Sequence, residues 1–106
     1  MTDLPGPVSA ALAAANAHDT DAFLATFTAD GVVDDWGREF RGADAIRGWS
    51  DAEFIGVDVT LAVTGTKEEA GATTVTADVG GRGFNGQSHF TFAVEGDKVA
   101  RMTIRA

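Results

Sequence analysis

The chain contains no cysteine and no tyrosine, and only two histidines, two prolines and two tryptophans in 106 residues. Without cysteine there can be no disulfide scaffold, no thiol nucleophile and no thiolate metal site. With His18 and His89 alone, a multi-histidine metal centre is also out of reach, and neither a metal nor an organic cofactor is expected. Basic residues are scarce as well: eight Lys and Arg face sixteen Asp and Glu, for a net charge of −8. The excess lies entirely in residues 1–58, whose eleven acids meet only Arg38, Arg41 and Arg47. Such a field repels a phosphate backbone or an anionic bilayer, which argues against nucleic acid and membrane as partners. No run of apolar residues approaches a membrane span. The N-terminus, MTDLPGPVSAALAAAN, carries an acid and two prolines where a secretory signal needs basic residues, so a cytoplasmic location is expected.

What is present is the composition of a folded protein. Hydrophobic residues make up 44 % of the chain, with seven Phe supplying most of the aromatic content. The length suits one domain over residues 1–106, with residues 1–5 expected to be flexible.

Helical spacing dominates the first half. Residues 7–17 (PVSAALAAANA) read as a helix, with Pro7 in the first turn and Val8, Leu12 and Ala15 on one face. After His18, Asp19 or Thr20 can cap a second helix whose apolar face is Phe23, Leu24 and Phe27 and whose end is Gly31. Val32 and Val33 lead into Asp34, Asp35 and Trp36, and Gly37 permits a hairpin turn that returns through Arg38, Glu39 and Phe40. Residues 43–49 (ADAIRGW) predict a third helix. Ser50 to Glu53 has capping-box spacing, which predicts a further helical turn at a new angle, and Gly56 closes the helical half.

From Val57 the period changes to two. Four segments alternate apolar and polar residues: Val57–Thr64, Thr74–Val79, His89–Val94 and Ala100–Arg105. Their connections are short, which favours antiparallel neighbours. Gly80, Gly81, Gly83 and Gly86 lie where a long strand would bend. Helices first and a run of one-faced strands after give an α+β fold, with a helical layer on a curved, mostly antiparallel sheet and a hollow between them. Alternation puts Ser88 inward with Phe90 and Phe92, and His89 outward with Thr74, Thr76, Thr91 and Arg101. GGRGFNG at 80–86 joins two strands with no helix N-terminus behind it, so it is not a nucleotide loop.

The sequence resembles the nuclear transport factor 2-like superfamily, in its SnoaL-like and ketosteroid-isomerase-like branch. The matching pieces are Ala17-His18-Asp19 with Phe23 and Phe27, TADGVVDDWG at 28–37, RGADAIRGW at 41–49, and the hairpin from Phe90 to Ile104. The resemblance spans nearly the whole chain and implies a cystatin-like cone with a pocket between three helices and the sheet, and dimerisation through the sheet's outer face. It places Asp35 at the position of the isomerase's general base, which moves a proton next to a carbonyl in an apolar pocket. It also shows departures. The isomerase's tyrosine donor aligns close to Ala11, so that donor is missing, and its acidic donor aligns near Ser88 or His89. Ketosteroid isomerisation itself is therefore not implied.

Asp35, with Ser88 as a hydrogen-bond donor, is the candidate catalytic pair, and Asp34 on the opposite parity is expected to be a solvated neighbour. Trp36, Trp49, Phe23, Phe27, Phe54 and Phe90 are the candidate ligand-binding wall, each with core packing as its plainer role. Asp35 could equally be a turn acid satisfied by backbone N–H groups. Three readings stay open: an isomerase- or cyclase-like proton-transfer enzyme acting on a small apolar or cyclic molecule, a non-catalytic binding module using the same pocket, and a dimeric interaction protein.

Overall fold

The computed structural model describes residues 4–106 and shows an α+β architecture. Two helices, α1 (Gly6–Asn16) and α2 (Thr20–Ala25), precede a hairpin of β1 (Phe27–Asp35) and β2 (Arg38–Arg41). Helix α3 (Ala43–Glu53) and a 3-10 turn (Ile55–Val57) lead into β3 (Thr60–Glu69), β4 (Ala72–Gly80), β5 (Gly86–Glu95) and β6 (Lys98–Arg105). All six strands form one sheet in the order β2-β1-β6-β5-β4-β3. Among the described residues only the β1–β6 pair is parallel. Among the described residues no helix is long and apolar enough to cross a membrane. Residues 1–3 of the N-terminal stretch expected to be flexible lie outside the described residues, whereas Leu4 already packs on the core.

Helix α1 buries Val8, Ala11, Leu12 and Ala15, the i, i+3, i+4, i+7 stripe of an amphipathic helix. Asn16 fastens its end to β3 by a paired contact: the side-chain N–H donates to the Leu61 carbonyl at 3.1 Å, and the Leu61 N–H donates to Asn16 Oδ1 at 2.7 Å. His18, in the left-handed region at φ 56°, places Nε2 2.7 Å from the Val59 carbonyl. Asp19 caps α2 by accepting from the Ala22 N–H.

Two elements differ from the sequence expectation. Helix α2 stops at Ala25 and does not reach Gly31. The Thr26 hydroxyl donates back to the Phe23 carbonyl, and the Thr26 carbonyl accepts from the Val99 N–H at 2.7 Å, so the chain is captured by β6 before a further turn can form. Phe27 thus starts a strand, and Gly31 lies within it. Helix α3 in turn runs unbroken through Ser50–Glu53. Ser50 is fully buried, and its hydroxyl faces the helix end, where it accepts from the Ile55 N–H, so it does not cap a new helix. Gly56 is demanded by the tight exit that follows: a Cβ there would fall onto the Asp51 carbonyl.

The sheet's inner face carries Val33, Leu61, Val75, Ala77, Phe90, Phe92, Met102 and Ile104, all buried against the helices. Burial of each large side chain contributes about 2–3 kcal/mol. Val63, expected inward by alternation, is 46 % exposed because a register shift between Val63 and Gly65 turns the strand. The glycines at 80–86 do not bend a strand. They end β4, begin β5 and form the connection between them. Irregularities that bend the strands fall instead at Phe27/Val32, Val63/Gly65 and Ala93/Val94.

Candidate functional site

A cavity of about 280 Å³ opens between α3 and one end of the sheet. Its floor is Phe90 and Ser88 on β5 with Ile104 on β6, and one side is Trp49, Ala52, Glu53 and Phe54 from α3. Val57, Val59 and Val79 close the opposite side, and Trp36 and Phe84 stand at its rim. The volume is at the small end of ligand pockets, and suits a one- or two-ring compound.

Asp35 enters this space from the last position of β1, beside Ile104, which in turn pairs with Phe90. Its side chain is 16 % exposed. Oδ2 accepts from the Arg38 guanidinium at 2.6 Å and from the Trp49 indole N–H at 3.1 Å. Among the described residues Oδ1 accepts no hydrogen bond, and no buried side-chain oxygen lacks a partner, so Oδ1 is open. Arg38 also binds Glu53 through two contacts, at 2.7 and 3.0 Å. Glu53 first and Asp35 second hold the Arg38 guanidinium above its usual range, and Arg38 holds Glu53 below its own.

Ser88 is 3 % exposed and lines the cavity as alternation predicts. Its hydroxyl takes part in no hydrogen bond among the described residues and, by the same reasoning, reaches the open space. His89 faces outward, with Nδ1 2.8 Å from the Thr76 hydroxyl.

Trp36 and Gly37 form the two-residue turn between β1 and β2, both with positive φ (55° and 90°). Such turns favour Asn-Gly, and a left-handed Trp costs about 1–2 kcal/mol. The indole is nonetheless 60 % exposed at the cavity mouth. Trp49 stacks on Phe54 at 4.8 Å, and both are buried wall. Phe23 and Phe27 do not reach the cavity. They meet edge to face at 5.2 Å, and Phe23 packs behind Phe54 at 5.5 Å, as core.

Three further residues shape the site. Phe84, in the connection between β4 and β5, is 57 % exposed at the rim. Its loop is pinned by Arg82, which donates to Asp58 at 2.7 Å and to the Gly56 carbonyl. Arg38 was not singled out, although a cation three residues from an acid across a hairpin turn is a readable pair. Asp34 is not solvated. It is 7 % exposed on the outer face, with Arg105 at 3.1 Å, Arg101 at 2.7 Å and the Gly37 N–H at 2.7 Å. Arg105 above all, helped by the Gly37 N–H and Arg101 and opposed by burial, brings its carboxyl down to about 2.

Residues 8–102 match the SnoaL-like domain family. The "putative polyketide cyclase" of Sinorhizobium meliloti is similar at 30 % identity, with 97 % of this chain and 96 % of that one covered and a TM-score of 0.88. A Catenulispora acidiphila protein of ketosteroid-isomerase-like fold, solved with trimethylamine, shares 23 % identity over 98 % of this chain and 87 % of that one, with a TM-score of 0.81. A Mycobacterium tuberculosis protein solved with estradiol-17beta-hemisuccinate shares the fold at 15 % identity, a TM-score of 0.80, and coverage of 98 % and 95 %. No match is found among curated proteins. By the family match over nearly its whole length, and by a fold held in common with these structures, the chain belongs to the SnoaL-like domain family of the nuclear transport factor 2-like superfamily.

Proposed function

We propose that this protein binds a small cyclic, largely apolar molecule in the cavity, with Asp35 accepting a hydrogen bond or a proton from it. The observation that carries this reading is the half-used carboxylate of Asp35. Two donors fix Oδ2, which orients the group, and Oδ1 is left open in a space otherwise walled by Phe, Trp, Val and Ile side chains. In such surroundings a hydrogen bond to a charged oxygen gains strength, because little water competes for it. The exposed and left-handed Trp36 supports the same reading, since strain retained at a cavity mouth points to a role there. The fold neighbours with trimethylamine and with an estradiol derivative support a small organic ligand.

Proton transfer of the isomerase or cyclase type is the reading favoured if the ligand is turned over. Asp35 is then the base at a carbon next to a carbonyl, and Ser88, whose hydroxyl is free in the cavity, donates to the developing oxyanion. Asp35→Asn separates the two readings: turnover disappears while affinity stays within a few-fold if Asp35 is the base. If ligands raise the melting temperature and no product forms, the protein is a binding module. We also infer that two copies pair through the sheet's outer face, where Thr74 and Thr91 meet at 3.0 Å beside the Thr76–His89 contact in a half-buried polar ladder. Thr91→Arg then shifts sedimentation from dimer to monomer; an unchanged profile removes this surface.

A further inference from the structure

The ionisable groups of the cavity are of one sign. Asp35 and Glu53 line it, and among the described residues no Lys, Arg or His does. Arg38 bridges the two acids and is half exposed, so two carboxylates share one guanidinium and a single negative charge remains. Glu53 spends both oxygens on Arg38, which leaves the excess at Asp35 Oδ1. The rings of Trp36, Trp49, Phe54, Phe84 and Phe90 line the same cavity. Aromatic faces next to an unspent carboxylate oxygen attract a cation twice over, through the ring quadrupole and through direct charge. An anionic ligand would meet the same groups as repulsion, and a neutral hydrocarbon would leave Oδ1 desolvated without a partner.

A second polar group points to the length of the ligand. Ser88 is more than nine-tenths buried and its hydroxyl makes no hydrogen bond among the described residues, yet it lines the cavity. Asp35, Ile104 and Phe90 stand in register across three strands, and Ser88 lies two residues from Phe90. At 4.8 Å per strand and 3.3 Å per residue the two backbones are roughly 12 Å apart. With both side chains reaching inward, one or two fused rings span the gap.

We propose that the ligand is a one- or two-ring compound bearing a protonated amine, with the ammonium held by Asp35 Oδ1 and the rings between the aromatic walls, and with Ser88 free to bond a hydroxyl or carbonyl at the far end. This rests on the reading of the cavity as a binding site. It makes Asp35 a counter-ion in the bound complex.

The test compares two probes of one skeleton on the full chain by calorimetry at pH 7: 1,2,3,4-tetrahydroisoquinoline, which is protonated, and isochroman, which has oxygen in place of that nitrogen. The amine is expected to bind at least about tenfold tighter. Asp35→Asn should reduce that preference to less than about twofold, by weakening the amine while isochroman loses nothing. If Asp35→Asn does not fold, Trp36→Ala serves, because the indole is mostly solvent-exposed; it should weaken the amine more than isochroman. Equal affinities, or tighter isochroman, would overturn the amine assignment and leave the pocket standing. Absence of heat from both probes at about 1 mM would count against the pocket itself, and the amine assignment would fall with it.

Discussion

Asp34 and Asp35 are neighbours in sequence at the end of β1, and the pleat sends them to opposite faces of the sheet. On the outer face both oxygens of Asp34 are taken: Oδ1 by the Gly37 N–H and Arg105, and Oδ2 by Arg101, which Glu39 shares. On the inner face Asp35 uses one oxygen and keeps the other open. The saturated acid ties β1 to β6 and fixes the hairpin turn. The unsaturated one has capacity left for something outside the chain. The difference lies in how many donors surround each carboxylate, and it separates a saturated structural acid from one with an oxygen to spare better than burial does.

Substitutions at the two positions should therefore break different properties. Asp35→Ala is expected to reduce ligand affinity, or turnover where a product forms, by about a hundredfold, equivalent to about 2.7 kcal/mol, while costing about 1 kcal/mol in folding through the Trp49 N–H that loses its acceptor. Titration and thermal melting on the same sample check both halves. Asp34→Ala should do the reverse. It leaves Arg101 and Arg105 short of their shared acceptor and costs about 2 kcal/mol, a fall of about 10 °C in melting temperature, with affinity at lower temperature unchanged.

Acid sharpens the contrast. The Asp34 carboxyl stands at about 2 in the folded protein against an ordinary 3.8, so the native state resists protonation there. Its contribution to stability is complete above the ordinary value and is lost as pH falls from 3.8 toward 2. Denaturant midpoints measured across that window should drop in the wild type and drop less in Asp34→Asn. Equal slopes would mean that other carboxylates carry the acid transition.

Smaller effects are expected at the cavity's margins. Arg38→Met removes an exposed ion pair and should change stability by less than about 1 kcal/mol, yet it leaves Asp35 and Glu53 without their cation and should raise affinity for an amine probe. Phe84→Ala should shift stability by no more than about 0.5 kcal/mol, since the ring is mostly exposed, and should lower affinity a few-fold by opening the rim. Melting curves and titrations read both.

Much of this arrangement was legible in the sequence where a period could be followed. Alternation placed Ser88 with Phe90 inside and His89 outside, and both positions hold. The hairpin around Gly37 and the place of Asp35 next to the cavity followed from turn chemistry and from the family resemblance. What escaped was whatever depends on a distant partner. Parity gave the face of Asp34, but only Arg101 and Arg105, far along the chain, explain why it is buried there. The end of α2 depends on Val99, which no local pattern in residues 20–31 contains, and nothing local separates Phe23 and Phe27, which are core, from the aromatics that line the cavity. Phe84 lies in a connection with no period at all, so its place at the rim is set by Arg82 and Asp58.

The proposed role of Asp35 is to offer its open oxygen as the polar contact of a ligand held between Trp36, Phe84 and Phe90. A crystal structure of the protein soaked with 1,2,3,4-tetrahydroisoquinoline tests it most directly. Ligand density is expected in the cavity with the ring nitrogen about 3 Å from Asp35 Oδ1. A cavity holding only solvent at saturating probe, or a nitrogen turned away from Asp35, would contradict it.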